Sequence, residues 1–564
     1  MTERPFTWTW HLDGQACPHS QSLKHGQPQP IFVAAPREAA QTKTELRLTI
    51  PLACINGIWS LYGDRTTLLK VTGSGYQAAT PYYKPGLLAF VDRDLCSRLL
   101  LITTPPEAEA VISWQISQAE ACYHLKIEWT HAPVARELGL WLSSEVAPVH
   151  DLAHRMVERV VPKPSEPQPQ PSFEPSYCTW YACHASLEQK RVELYARRAR
   201  ELGFGAFILD DGWMYDTDQR SPGQHGPWFR LHGDYEPSRR KFPDFGGLVQ
   251  SLHALDLRFI LWVAPYIVGT ESRSYRKLAD HLLPSWLDEG FRAADPRSPA
   301  VASHLEETLT RLVRDYPIDG FKVDYDYGLL GPDQMPSGTG SAYLAATRRL
   351  IEGVRKINPQ FEWNLCLSAG TRTLSNAFRC VDVPFDPESN RLAMASFKAM
   401  TPGLPLHYDP SLWSADEPVE IVHRHIVPSL FCVPSLGADI LNLPQEHLDA
   451  IRGWLGFYRH HQFLLNHGTF SPVWAGGDYQ SFHVRGNNQE IAAVFSDFPV
   501  RIGASAQTWM INNSSSPEMT LISDRKTEIA KEDTSGALKN APETLATGCH
   551  RVACRPGDIL RIQG

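Results

Sequence analysis

Several things are scarce in this 564-residue chain. No apolar stretch approaches the roughly 20 residues that a membrane-spanning helix needs, which argues against a helical span. Positive charge is not in excess. With 54 Lys and Arg against 62 Asp and Glu the net charge is −8, so there is no electrostatic footprint for nucleic acid or an anionic membrane. The opening Met1-Thr2-Glu3-Arg4-Pro5-Phe6 lacks the charged and apolar regions of a secretory leader. The 11 cysteines are odd in number, scattered, and without zinc-ribbon spacing. They read as reduced thiols, and the expectation is a cytoplasmic chain. His150 and His154 have helical i, i+4 spacing but no Glu-rich context, so they are expected at the surface, not on zinc. The same expectation covers His423, His425, His460 and His461. Neither metal nor organic cofactor is expected.

What is present describes a folded protein: 43% hydrophobic, 10% aromatic and 21% charged residues. The length suggests about three or four domains. The 16 tryptophans suit a ring-stacking ligand such as carbohydrate and equally suit β-sandwich cores.

From Phe6 to Val146, short β-branched and aromatic runs alternate with turn residues. The clearest are Phe6–Leu12, Glu45–Pro51, Gly57–Tyr62, Leu99–Thr103, Ala110–Ile116, Tyr123–Thr130 and Glu137–Leu142, a pattern that predicts a β-sandwich over residues 1–161. A structural or homo-oligomerising role is expected of it. Residues 162–176, PKPSEPQPQPSFEPS from Pro162, form a stiff proline-rich connector.

Over 177–469 the pattern becomes apolar strand, loop, amphipathic helix, repeated. Strands are expected at Tyr177–Cys183, Gly205–Leu209, Arg258–Pro265, Gly320–Asp324, Phe361–Leu367, Arg379–Phe385, Leu404–Tyr408 and Cys432–Leu436. Ser186 with Gln189 offers a capping box for a helix closing near Leu202-Gly203. Eight such units predict a (β/α)8 TIM barrel in preference to a doubly wound sheet, with chemistry at the C-terminal ends of the strands. Residues 470–564 read as a small antiparallel C-terminal β domain, with Ser523–Thr547 as a long loop.

Carboxylates, aromatics and small residues collect at those strand ends. Strand two ends in Asp210-Asp211-Gly212-Trp213, strand three in Trp262-Val263-Ala264-Pro265, and strand four in Lys322-Val323-Asp324. Strand five runs through Cys366 into Ser368-Ala369-Gly370-Thr371-Arg372. The sixth carries Arg379, Asp382 and Asp386. Such a set suits a polyhydroxylated ligand, because carboxylates accept hydroxyl hydrogen bonds and aromatic faces cover sugar C–H faces. In a strand, Lys322 and Asp324 point to one side, so the cation is expected to keep the carboxylate ionised. Taken alone, Lys322-Val323-Asp324 could equally be a structural ion pair.

These residues carry a family resemblance. Leu209-Asp210-Asp211-Gly212-Trp213, Gly233-Asp234-Tyr235, Lys241-Phe242-Pro243, Leu261-Trp262-Val263-Ala264-Pro265, Asp319-Gly320-Phe321-Lys322-Val323-Asp324 and Cys366 stand in the order and spacing of the melibiase-type α-galactosidases. The chain thus resembles glycoside hydrolase family 36, in the wider clan of retaining α-glycosidases, from about Tyr177 to Phe470. The resemblance implies Asp324 as nucleophile and Asp386 as acid/base, with Asp382 as its rival. It further implies Asp210, Asp211, Trp213, Trp262, Lys322, Cys366, Arg379 and Asp382 around the sugar. In such enzymes the two carboxyls lie about 5–5.5 Å apart. The implied activity is an α-galactosidase on small α-galactosides. Other α-glycosides, transglycosylation and a silent sugar-binding scaffold are the competing readings. Arg372 and Arg379 could read an acidic sugar group, or serve in structural ion pairs.

Overall fold

The computed structural model describes every residue except 1–3, 18–20, 25, 28, 36–43, 61–74, 80–85, 132–136, 165–167, 171, 217–226, 284–289, 326–335, 369, 381–385 and 402; for 76–79, 131, 227 and 228 it describes backbone alone. In the first strand, Phe6–Leu12, the large side chains Phe6, Trp8 and Trp10 are buried while Thr7 faces out. Its partner Thr44–Pro51 buries Leu46, Leu48 and Ile50 in the same alternation. That period of two builds a seven-stranded sheet in which Phe6–Leu12, Thr44–Pro51, Cys122–His131, Glu109–Ser117 and Gly75–Ala79 lie side by side, with Gln15–Ala16 and Gln21–Leu23 at the edge. A five-stranded sheet, in the order Ile31–Ala34, Gly139–Ser143, Ser97–Thr104, Leu87–Val91 and Gly57–Ser60, closes the apolar core against it. The expected strands are all present where described. Those not foreseen are mostly short or at sheet edges, where the apolar alternation is brief.

A helix, Val149–Val160, leaves the sandwich and buries Val149, Leu152, Ala153, Met156 and Val157 on one face. Eight parallel strands then follow: Ser176–Cys178, Ala206–Leu209, Arg258–Val263, Gly320–Val323, Glu362–Cys366, Ala377–Arg379, Leu406–His407 and Ser435–Leu436. Each of the first six pairs with the next, the last pairs with the first, and an isolated bridge from His407 to Val433, just before the eighth strand, links the remaining gap. The ring is a (β/α)8 barrel. Its strands are rich in buried apolar residues because helices cover the outer face, with charged side chains such as Lys322 and Arg379 among them. The helix Gln189–Leu202 ends on Gly203, whose φ of +103° is the left-handed stop expected there. Its start differs from expectation. Glu188 is the N-cap without a side-chain bond, and the Gln189 amide oxygen instead accepts from the Asp244 backbone N–H.

Beyond the helix Gln445–His467, a seven-stranded and a three-stranded sheet enclose a small core of Met510, Leu521, Ile529 and Leu560. The span expected to be a long loop, Ser523–Thr547, holds two paired strands, Thr527–Glu532 and Glu543–Leu545. Several histidines also differ from expectation. His150 is buried with Nε2 2.7 Å from the Tyr479 hydroxyl, His425 is buried against Trp413, and His461 against Trp509. One apolar core runs from Trp59 and Leu100 in the sandwich, through the barrel helices, to Phe482 and Trp509 in the C-terminal sheet.

Candidate active site

The C-terminal ends of strands two to six bring a set of buried charges together. Lys322, on the fourth strand, donates to Asp210 Oδ2 at 2.7 Å, and Cys178 on the first strand donates to the same oxygen at 3.1 Å. Burial alone would discharge this lysine. Asp210, together with Cys178 and Asp324, outweighs that and holds the ammonium well above its usual range. The partner of Lys322 is therefore Asp210, across the barrel, and not its strand neighbour Asp324.

Asp324 is held from three sides. Trp262 Nε1 donates to Oδ2 at 3.0 Å, while Arg379 Nη2 and the Tyr325 backbone N–H donate to Oδ1 at 2.7 and 2.8 Å. Burial pushes its carboxyl up, but Arg379 first, then Lys322 and the hydrogen bonds, outweigh burial and hold it at about 2. The same Arg379 nitrogen reaches the Val323 carbonyl at 3.0 Å and Cys366 Sγ at 2.9 Å, fixing the guanidinium between strands four, five and six. Tyr325 has φ +55°, an uncommon conformation for an aromatic residue, and this places its N–H on the Asp324 carboxylate.

Asp211 forms a second centre. Its Oδ1 accepts from the Gly212 N–H at 2.7 Å and the Tyr215 hydroxyl at 3.1 Å, with His232 Nε2 at 3.0 Å. Gly212 has φ +103°, and a Cβ there would sit 2.6 Å from Ala185 Cα, so this turn demands glycine. Lys241, from the Lys-Phe-Pro motif, is buried and donates to the Ala185 and Gly212 carbonyls, tying the loops after strands one and two. The Asp234 carboxylate accepts the Arg273 and Ser274 N–H groups. Both motif residues thus act as loop scaffolding.

The structure unites Asp210, Asp211, Trp262, Lys322, Asp324, Cys366 and Arg379. Trp213 stands apart: its ring packs on Phe245 in the main core and its N–H donates to the Trp262 carbonyl at 3.0 Å. Arg372 is also elsewhere, bonded to Glu158 and to the Val161 and Met400 carbonyls. Asp386 caps the helix Pro387–Lys398, accepting from the Glu388 N–H at 3.0 Å and from the Ser389 hydroxyl. Asp382 lies outside the described residues.

Sequence reasoning missed Cys178, Tyr215, His232 and Asp409. Asp409 is buried directly after the seventh strand, with the Tyr181 hydroxyl 3.4 Å from its Oδ2. A carboxylate after an apolar run was the signal available. His232 had only its place beside the Gly233-Asp234-Tyr235 motif.

With this geometry in view, three comparisons bear on the chain. Residues 148–382 match the Melibiase family model. Alpha-galactosidase AgaA of Geobacillus stearothermophilus is 24% identical over 287 residues, which are 48% of this chain and 34% of that protein. Alpha-galactosidase C of Emericella nidulans is 26% identical over 293 residues, 48% of this chain and 33% of that one. The aligned part spans about a third of the length of these curated relatives. Among solved structures, a GH36 alpha-galactosidase AgaA variant from Geobacillus stearothermophilus in complex with 1-deoxygalactonojirimycin superposes with TM-score 0.64 at 14% identity, covering 99% of this chain and 89% of that one. TtGalA, an alpha-galactosidase from Thermus thermophilus in complex with stachyose, does so with TM-score 0.54 at 16% identity, covering 79% and 98%. Residues 148–382 are accordingly similar to the Melibiase family, in a chain that shares the fold of the GH36 alpha-galactosidase structures.

Proposed function

We propose that this chain is a retaining α-glycoside hydrolase, an α-galactosidase acting on small α-galactosides. The observation that carries the reading is Asp324: a buried carboxylate at the mouth of the fourth strand, ionised and oriented by Arg379, Trp262 and the Tyr325 N–H. An attacking carboxylate needs that combination of charge and fixed direction. Asp324 attacks the anomeric carbon while the acid/base, Asp386, gives its proton to the leaving oxygen. The carboxylate so formed then takes a proton from water, which displaces Asp324 with net retention. Asp210 and Asp211 accept sugar hydroxyls, Lys322 donates to one, and Trp262 covers a ring face. Relatives in complex with raffinose and with stachyose support an oligosaccharide substrate.

Asp382 as the acid/base is a second reading, with two observations in its favour. Both Asp386 oxygens accept helix-capping bonds, and the family match runs to residue 382, short of Asp386.

A panel of nitrophenyl α-glycosides tests the substrate. Turnover of the α-galactoside is expected; hydrolysis of a different α-glycoside instead would move the assignment to that sugar. Asp324→Ala should lose at least about 1,000-fold in kcat, with azide restoring turnover as a glycosyl azide of inverted configuration. Full activity in that variant sinks the mechanism. Removing the true acid/base should cost about 10²–10⁴-fold on poor leaving groups and far less on dinitrophenyl glycosides. Asp386→Ala is expected to behave so; if Asp382→Ala does instead, the roles are exchanged.

A further inference from the structure

We propose that Glu120, Cys122 and His124 form a binding site for a zinc-class divalent cation on the N-terminal sandwich, outside the barrel and its chemistry. The three residues follow one another at i, i+2, i+4 across the hairpin that joins Glu109–Ser117 to Cys122–His131. Cys122 lies opposite Ser117 and Pro51, and His124 opposite Gln115 and Thr49, so both point to one face of the sheet. A thiol, an imidazole and a carboxylate are the donor types that zinc takes. This strand spacing differs from the ribbon and helical signatures sought in the sequence.

The distances fit a metal. Cys122 Sγ is 3.6 Å from Glu120 Oε2 and 3.6 Å from His124 Nε2, and those two atoms are 2.6 Å apart. Tetrahedral zinc, with Zn–S about 2.3 Å and Zn–N and Zn–O about 2.0–2.1 Å, sets sulfur about 3.5 Å from each of its neighbours and nitrogen about 3.3 Å from oxygen. Two edges of the coordination triangle therefore stand already near their bound lengths. Only the His124–Glu120 hydrogen bond must open, by about 0.7 Å, which its exposed side chains allow. The thiol proton leaves as the cation binds.

The hairpin is held in place from several directions. Arg4 Nη1 donates to the Glu120 carbonyl at 2.9 Å, the Leu52 N–H to the Ala121 carbonyl at 3.1 Å, and the Glu120 N–H to Ser117 Oγ at 3.3 Å. Among the described residues no fourth His, Cys, Asp or Glu joins the set. The remaining position belongs to water or to an exogenous donor, as in open zinc sites. His124 also lines a groove of about 960 Å³ with Thr9, Arg47, Thr49 and Gln115, from which such a donor would come.

The test uses the full chain, freed of metal by chelator dialysis and titrated with Zn²⁺ by calorimetry. Uptake of one equivalent at micromolar affinity or tighter is expected. Co²⁺ in place of Zn²⁺ should give tetrahedral d–d bands with a sulfur-to-cobalt charge-transfer band. His124→Gln alters a half-exposed side chain and should leave the circular dichroism unchanged. It should weaken Zn²⁺ binding at least about 100-fold, since second-shell changes alone cost about 10–100-fold. Cys122→Ser should abolish the charge-transfer band, whereas Cys54→Ser and Cys549→Ser, at the exposed thiols, should not. Absence of saturable Zn²⁺ uptake overturns the proposal, as does uptake that His124→Gln leaves unchanged.

Discussion

At the scale of single residues, the site depends on which cation serves which carboxylate. Asp324 owes its low pKa, about 2, to Arg379 before Lys322, against the upward push of burial. Replacing Arg379 by Gln keeps a donor but removes the charge, leaving burial opposed mainly by Lys322. The Asp324 pKa should then rise, and the acid limb of kcat/KM should move up by about one pH unit or more. Linkage has a definite sign here. A carboxyl depressed in the fold adds stability above its unfolded pKa, and that stability is lost as pH falls from about 4 to 2. In Arg379→Gln the folded pKa lies closer to the unfolded one, so this group's acid loss should be smaller and should end at higher pH. A pH–rate profile and an acid denaturation series check the pair, and an unmoved acid limb would show that Arg379 does not set the charge. The place of Asp324 at a strand end was legible in the sequence, because a carboxylate closing an apolar strand is a local pattern. Its partner was not: Arg379 is 55 positions away, and the partner of Lys322 is 112 away. Only barrel closure makes those pairs neighbours.

At the scale of elements, the eight barrel strands were legible because parallel strands buried on both faces read as apolar runs. Their lengths were less so. The sixth strand was expected at Arg379–Phe385 and is found at Ala377–Arg379, with 381–385 outside the described residues. Two- and three-residue strands carry too little pattern to place. The mostly buried strand Thr527–Glu532 was read as loop because its polar residues share the ladder with Ile529 and Ala530. One helix is completed from another domain. Thr339–Arg355 starts at Gly338, which has no side chain to cap it. Glu109 of the sandwich supplies the cap, its carboxylate accepting from the Gly340 N–H at 2.6 Å and the Gly338 N–H at 3.3 Å. The charge also lies at the positive end of the helix dipole. Glu109→Ala should therefore cost about 1–2 kcal/mol, read as a lower midpoint in urea, and should speed hydrogen exchange in the first turn of that helix. Glu109→Gln, which retains an acceptor, should recover part of the loss. Equal loss in both variants would point to the charge alone.

At the scale of the whole molecule, the continuous core joins sandwich, barrel and C-terminal sheets, and histidines lie within it. His150 joins the helix Val149–Val160 to Tyr479, His425 packs on Trp413, and His461 packs on Trp509. Burial lowers all three from 6.5: His150 to about 3, His425 to about 4 despite Asp386, and His461 to about 4. Each is neutral in the fold and takes up a proton on unfolding below pH 6.5. The unfolded chain therefore binds more protons between pH 6.5 and 4, so stability must fall as pH falls through that window. Each such group contributes up to about 1.4 kcal/mol per pH unit. Because the core is shared, the loss should appear as one cooperative transition, seen alike by tryptophan fluorescence and by enzymatic activity. His150→Gln removes one titrating group while keeping a polar partner for Tyr479. It should be less stable than the parent at pH 7.5, yet its urea midpoint should decline less steeply between pH 6.5 and 4.5. A parent chain whose midpoint is flat over that range would show that these rings are not held neutral. Separate transitions for the two probes would show that the domains do not unfold as one body.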